Sequence, residues 1–163
     1  YVNGLFMECY RSATPADWQR ISETLRWAEA HLHRPHINSV ETWYYHSRQD
    51  FNLMRAVTTL TLTQSDGYCL FSDPDNLPTP DHLHDWYGFW DKRLGRPKQT
   101  GWQRPDGAWE RAFTGGIAIY NPSGNSNIMV HFAAPYRSQA TGRTGTEHTV
   151  PGNDGDIFFT TKK

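Results

Sequence analysis

The chain opens on the stretch Val2-Asn3-Gly4-Leu5-Phe6-Met7-Glu8-Cys9-Tyr10, which is mostly apolar on both alternating faces. A strand of this kind is typical of a parallel sheet that is covered on both sides. One carboxylate, Glu8, interrupts the apolar pattern near the end of the strand. The stretch therefore predicts a parallel α/β arrangement for the first part of the chain.

The segments that follow predict alternating helices and strands. Residues 16–33 carry apolar side chains at helical spacing, and residues 49–63 show a second helical stripe. Residues 37–45 and 68–71 are rich in β-forming residues, and a third helix is expected over residues 81–94. The order βαβαβα implies parallel strands joined by right-handed crossovers.

From Lys98 onward the pattern changes to short strands separated by turn residues. The predicted strands are residues 108–113, 116–120, 127–132 and 156–160. The clusters of Pro, Asp, Asn, Ser and Gly between them suit hairpins and bends. We therefore predict two units, an α/β unit over residues 1–97 and a small antiparallel β domain over residues 98–163.

The charge balance argues against a polyanionic partner. Lys and Arg together number 16 and Asp and Glu together 17, so the formal net charge is −1. No field of one sign exists to attract nucleic acid or an anionic membrane surface. No apolar run approaches the ~20 residues that span a bilayer. We expect neither nucleic acid nor a membrane as a partner.

Metal and cofactor sites are not indicated either. The two cysteines, Cys9 and Cys69, are far apart and have no zinc-ligand spacing. His82 and His84 lie two apart in a predicted helix, where they point to different faces. We expect no metal and no cofactor. The seven Trp, eight Tyr and eight Phe residues suit a packed core, and such rings also line sugar sites.

Three short motifs, in this order along the chain, carry a family resemblance. They are Asn3-Gly4-Leu5-Phe6-Met7-Glu8, then Arg111-Ala112-Phe113-Thr114-Gly115-Gly116 leading through Ile117–Tyr120 into Asn121-Pro122, and finally Asp154-Gly155-Asp156-Ile157-Phe158-Phe159. In this arrangement the chain resembles the hypothetical glycosyl hydrolases that have a (β/α)₈ barrel followed by a terminal β domain. The resemblance extends over nearly the whole chain.

The resemblance implies a fold and a partner. Residues 1–97 would form strands 6 to 8 of a TIM-type (β/α)₈ barrel, as three βα units, and residues 98–163 would form the terminal antiparallel β domain. Five βα units would then precede Tyr1. Because a partial barrel exposes strand edges, we expect self-association or a complementary N-terminal barrel part as partner, besides a carbohydrate substrate.

Glu8 and Glu41 are the candidate catalytic residues. Both come near the ends of predicted strands, where the loops of a barrel enzyme form its active site. Glycosidic hydrolysis commonly uses two carboxyl groups, one of which protonates the leaving oxygen. The resemblance implies that role for Glu8. Glu41 is either the second catalytic carboxylate or a supporting residue whose catalytic counterpart lies upstream.

Six further residues are candidates for substrate binding because they follow the predicted strands. They are Arg11, Trp43, Tyr44, Tyr45, Arg48 and Asp73. Aromatic rings there would stack on sugar faces, and the charged groups would contact hydroxyls. The alternative roles are local packing for the rings, surface ion pairs for the arginines and turn capping for the aspartate.

Glycoside hydrolysis is therefore the leading functional hypothesis, and two alternatives stay open. The chain could instead be a non-catalytic carbohydrate-binding module, in which aromatic residues hold a glycan without turnover. It could also be structural in part, with residues 98–163 supporting the α/β unit through Arg111 and Phe113.

Overall fold

The computed structural model describes residues 2–9, 14–43, 47–73, 83–84 and 86–161. The described chain holds two α-helices and two sheets. In chain order the first sheet and its helices comprise β1 (Phe6–Glu8), α1 (Pro15–His31), β2 (Ser39–Trp43), α2 (Phe51–Gln64), β3 (Tyr68–Asp73) and β4 (Leu83–His84). The second sheet comprises β5 (Trp102–Gln103), β6 (Trp109–Ala112), β7 (Gly116–Asn121), β8 (Ile128–Ser138), β9 (Thr144–Val150) and β10 (Asp154–Thr160).

The first sheet has the order β1-β2-β3-β4. β1, β2 and β3 are parallel, as the alternation in the sequence predicted, and α1 and α2 are their connections. The first helix begins one residue before the predicted range: the Thr14 side chain accepts a hydrogen bond from the Asp17 N–H, and Pro15 follows at the first helical position. Both helices pack on one face of the sheet, where Val40 and Phe71 are buried.

The predicted barrel portion is wrong. The described chain has two helices where three βα units need three, its larger sheet is antiparallel, and β4 runs antiparallel to β3. A (β/α)₈ barrel is built from parallel strands that are each followed by a helix. The described elements are mostly β-strands. The assignment of residues 1–97 to strands 6 to 8 of a barrel is therefore wrong as well.

The helix predicted over residues 81–94 does not form in the described part of that range, residues 83–84 and 86–94. In its place lie β4 and a short 3₁₀ helix, Gly88–Trp90. The aromatic side chains there pack individually: the rings of Phe71 and Tyr87 meet edge to face, and the Trp90 indole donates a hydrogen bond to the Thr58 hydroxyl. Such packing overrides helix propensity, which is worth less than 1 kcal/mol per ordinary residue.

The second sheet has the order β5-β6-β7-β10-β8-β9, and all its pairings are antiparallel. Strands had been predicted in the regions of β6, β7, β8 and β10, but β8 extends to Ser138 and so is longer than expected. β5 and β9 were not predicted. β9 lies at the sheet edge with mostly exposed polar residues, so it lacks the apolar alternation by which a strand is recognised.

One hydrophobic core joins the helices to the second sheet. It contains Leu25 of α1 and Val57 of α2 together with Ala118, Tyr120 and Ile157 of β7 and β10. The other face of the second sheet has its own core, formed mainly by residues of β7, β8, β9 and β10. The two sheets are therefore coupled through α2, which packs on β7 and β10.

Asp156 introduces a pH dependence into the second sheet. It is 4% exposed and accepts hydrogen bonds from the Ser138 hydroxyl and the Ala140 and Ile157 N–H groups, yet burial raises its pKa above the ordinary value of 3.8. Between the unfolded and folded pKa values the folded state binds more protons, so this carboxyl lowers the free energy of unfolding as pH rises.

We therefore compare the unfolding temperature of Asp156→Asn with that of wild type at two pH values. The difference, variant minus wild type, should be more positive at pH 7 than at pH 4. Thermal unfolding followed by circular dichroism measures this difference. Asp106 is the matched control, because the Arg104 guanidinium lowers its pKa, and Asp106→Asn should shift stability with the opposite pH dependence. Equal shifts for Asp156→Asn at both pH values would contradict the assignment.

Candidate functional site

The two candidate catalytic carboxylates are brought together by strand pairing. β1 and β2 are parallel, and Glu8, the last residue of β1, is the register partner of Glu41 in the middle of β2. Neighbouring strands lie about 4.8 Å apart, so the two side chains leave the sheet side by side. Glu8 is exposed, whereas Glu41 is only 6% exposed.

Both carboxylates lie on the face of the sheet that is turned away from the helices. Met7 and Val40 precede them, are register partners and pack into the core beneath the helices. Successive residues of a strand point to opposite faces, so Glu8 and Glu41 point the other way. Phe6, two residues before Glu8 on the same face, is 57% exposed.

The other candidates divide into two groups. By backbone position, Trp43 ends β2, Asp73 ends β3, and Arg48 lies in the 3₁₀ helix Ser47–Gln49 that follows β2. These three therefore lie at the carboxyl edge of the parallel strands, as Glu8 does, whereas Glu41 lies two residues before that edge in β2. Arg11, Tyr44, Tyr45 and the rejected metal candidate His82 lie outside the described residues.

Cys9 follows Glu8 directly but is unsuited to nucleophilic chemistry. It is 5% exposed, and burial raises the pKa of its thiol to about 12. Burial likewise raises the pKa of Cys69 to about 12. Because the thiolate is the reactive form, both cysteines are inert at neutral pH. Of the described residues around Glu8, the carboxyl groups and not the thiols are therefore the candidates for chemistry.

We expect both thiols to react with Ellman's reagent at pH 8 at least roughly 100-fold more slowly in the folded protein than in guanidinium chloride. The physical reason is that burial raises both thiol pKa values and so suppresses the thiolate, and that Cys9 is also inaccessible to the reagent. The rate of absorbance change measures the reaction, with Cys9→Ser and Cys69→Ser assigning each thiol. Rapid labelling of one thiol in the folded protein would contradict this expectation.

A second concave site, which sequence reasoning missed, lies between α1 and the edge of the second sheet. We call it the α1 cleft; its volume is about 400 Å³. Gln103, Trp109 and Tyr120 are register partners on the neighbouring strands β5, β6 and β7, so their side chains point to one face. The helical spacing of Gln19, Glu23 and Arg26 places them together on the opposite wall.

The sequence carries little signal for this cleft. Its residues come from separate segments, and only the packing of α1 against the sheet unites them. The spacing 19, 23, 26 on α1 marks a polar helix face, which ordinarily means a solvated surface. The turn after β7 closes the cleft at one end, where Gly124 approaches Pro15 so closely that a Cβ atom would lie 3.1 Å from the proline ring.

Within the described residues, no cluster of three or more His, Cys, Asp or Glu side chains is arranged to hold a metal ion. The same part of the chain contains no helix with the length and apolar character needed to cross a membrane. No protein-family model matches the sequence, and no curated protein is significantly similar to it.

Proposed function

We propose that this chain acts in the hydrolysis of glycosidic bonds in an oligo- or polysaccharide, with Glu8 as general acid and base. The observation that supports the proposal is the register of β1 and β2, which sets Glu8, at the end of β1, beside Glu41, two residues before the end of β2. Glycosidic hydrolysis commonly uses two carboxyl groups, about 5–5.5 Å apart in retaining enzymes. The interstrand spacing of about 4.8 Å suits that separation.

The proposed chemistry divides the work between the two groups. Glu8 is exposed and, as the carboxylic acid, protonates the glycosidic oxygen while the bond to the anomeric carbon breaks. Glu41 stabilises the positive charge that develops at the anomeric carbon. The Glu8 carboxylate then takes a proton from the water that adds to that carbon, which regenerates the acid.

The test is to incubate the natural protein that contains this sequence with neutral oligosaccharides in ¹⁸O-water. We expect new reducing ends that carry ¹⁸O at the anomeric carbon, detected by mass spectrometry. Binding without any product would favour the non-catalytic carbohydrate-binding alternative. If the protein neither binds nor cleaves any glucose-, xylose-, mannose- or galactose-based substrate, both hypotheses are excluded.

A structural role for the second sheet is favoured by a separate observation. Arg111 of β6 donates hydrogen bonds to the Leu62 and Ser65 carbonyls at the end of α2 and to the Asp66 carboxylate, and its guanidinium lies 5.5 Å from the Phe113 ring centroid. We propose that residues 98–163 support the α/β unit through this contact. This role accompanies the hydrolytic one and does not compete with it.

A further inference from the structure

The α1 cleft contains a hydroxyl group, that of Tyr120, with no hydrogen-bond partner among the described residues. Tyr120 is 1% exposed and lines the cleft, and its hydroxyl makes no hydrogen bond to any of the described residues. Burial raises the pKa of Tyr120, and no hydrogen bond contributes to this shift. Although the side chain is buried, the hydroxyl oxygen itself is open to the cleft. It can therefore form a hydrogen bond with a molecule bound there.

The other polar side chains that line the cleft indicate which hydrogen-bonding groups a bound molecule should carry. The amide nitrogens of Gln19 and Gln103 are used within the protein, by the Glu23 carboxylate and the Gly107 carbonyl. Their Oε1 atoms accept no hydrogen bond from the described residues, so both can accept from a ligand. The cleft therefore offers several acceptors to a ligand that carries hydroxyl donors.

The charge and the walls of the cleft narrow the ligand class further. Arg26 and Glu23 are the charged residues that line it, and their charges cancel, so no excess charge selects an anion or a cation. Trp18 and Trp109 supply apolar wall, and the Arg26 guanidinium lies 4.7 Å from the Trp109 ring centroid. Apolar wall with dispersed hydrogen-bonding groups matches a sugar ring, which has C–H faces and peripheral hydroxyls.

We propose that the α1 cleft is a binding site for a neutral sugar residue of an oligosaccharide, with the Tyr120 hydroxyl pairing with a sugar hydroxyl. The volume of about 400 Å³ falls within the range of small-molecule sites. The cleft shares no residue with the Glu8 and Glu41 pair, which lies on the sheet face turned away from α1. The proposal therefore goes beyond the proposed hydrolysis and does not require it.

The test is a titration of the protein with cellotetraose, xylotetraose, mannotetraose, maltotetraose and, as the charged comparison, tetragalacturonate. Two-dimensional NMR of the tryptophan indole N–H groups reports occupancy through Trp18 and Trp109. We expect at least one neutral tetrasaccharide to shift these two signals in a saturable way. Failure of every neutral sugar to do so, or preferential binding of tetragalacturonate, would overturn the proposal.

The decisive variant is Tyr120→Phe, which removes only the hydroxyl. We expect it to weaken binding roughly 3- to 10-fold, the value of one hydrogen bond, while the unfolding temperature does not fall, because the hydroxyl has no partner within the described protein. Tyr136→Phe is the matched control, since Tyr136 packs in the other core of the same sheet and should bind like wild type. Equal affinities for the two variants would overturn the role of Tyr120.

A second variant avoids any effect on folding. Gln19→Ala changes an exposed residue of α1 and is expected to weaken binding several-fold without altering stability. Glu8→Gln separates the two proposals, because it should leave this binding unchanged whether or not it abolishes hydrolysis. Loss of sugar binding in Glu8→Gln would show that the sugar binds at the carboxylate pair and would overturn the proposed cleft site.

Discussion

Glu8→Gln is expected to lower the rate of glycosidic hydrolysis roughly 100- to 10,000-fold, the usual contribution of general acid–base catalysis. Gln has the size of Glu but cannot release a proton to the leaving oxygen. Because Glu8 is exposed, the substitution should not affect folding. The measurement is kcat/KM for oligosaccharides and for 2,4-dinitrophenyl glycosides of the same sugar.

The two substrates distinguish the acid role from a structural one. Dinitrophenolate leaves without protonation, so the loss in Glu8→Gln should be much smaller for the aryl glycoside than for the oligosaccharide. Glu147→Gln is the matched control, because Glu147 is an exposed carboxylate on β9, and its activity should stay within about twofold of wild type. Equal losses on both substrates, or no loss, would remove Glu8 from the proposed mechanism.

Glu41→Gln tests the second carboxylate. If Glu41 stabilises the charge at the anomeric carbon, its neutral replacement should lower kcat for both substrate types, because that charge develops whichever group leaves. Circular dichroism must show an unchanged fold, since Glu41 is buried. Full activity of a folded Glu41→Gln protein would mean that the second catalytic carboxylate lies elsewhere.

Arg111→Met is expected to reduce the free energy of unfolding by about 3 kcal/mol, because it removes at once the donor to one buried carbonyl, two partly buried carbonyls and a carboxylate. Arg111 is 8% exposed and donates hydrogen bonds to the carbonyls of Gln99, Leu62 and Ser65 as well as to Asp66. The change should lower the unfolding temperature by roughly 6–12 °C in a chain of this size. Thermal and urea unfolding measure it.

The matched control is Arg137→Met, which removes an exposed arginine from β8 and should change stability by less than about 0.5 kcal/mol. Arg111→Lys keeps the charge but loses the planar guanidinium that reaches several acceptors, so its stability should fall between wild type and Arg111→Met. A destabilisation by Arg111→Met no larger than that by Arg137→Met would refute the proposed support of α2 by the second sheet.

Several elements were predictable from local sequence. α1 has a capping threonine, a proline at its first position and apolar residues at helical spacing, and all three signals agree. The parallel strands β1 and β2 lie within the predicted segments, although β1 is reduced to three residues, and β3 begins as predicted but extends to Asp73. The turn clusters after Lys98 correctly separated β6, β7, β8 and β10. These elements could be predicted because their local sequence signals agree with one another.

The errors arose where long-range packing decides. The helix expected over residues 81–94 does not form over residues 86–94, where Tyr87 and Phe89 are buried in the core in a way that no local periodicity indicates. β9 was missed because an edge strand need not alternate apolar and polar residues. The (β/α)₈ barrel was inferred from resemblance and element order, and the antiparallel pairing of β4 with β3 contradicts it.

The candidate sites show the same division. The sequence placed Glu8 and Glu41 near the ends of two strands, but only the β1–β2 register shows that they are direct neighbours on one face. It could not reveal the α1 cleft, whose walls come from α1 and from β5, β6 and β7.

By itself, the sequence determined the parallel start of the fold, both helices and most of the second sheet, because capping, periodicity and turn residues act over a few positions. Only the tertiary structure decided the partners of each strand, the secondary structure of residues 83–84 and 86–94, and the surroundings of Tyr120. The physical reason is that burial and hydrogen-bond satisfaction are properties of the packed chain, and they join residues that lie far apart in sequence.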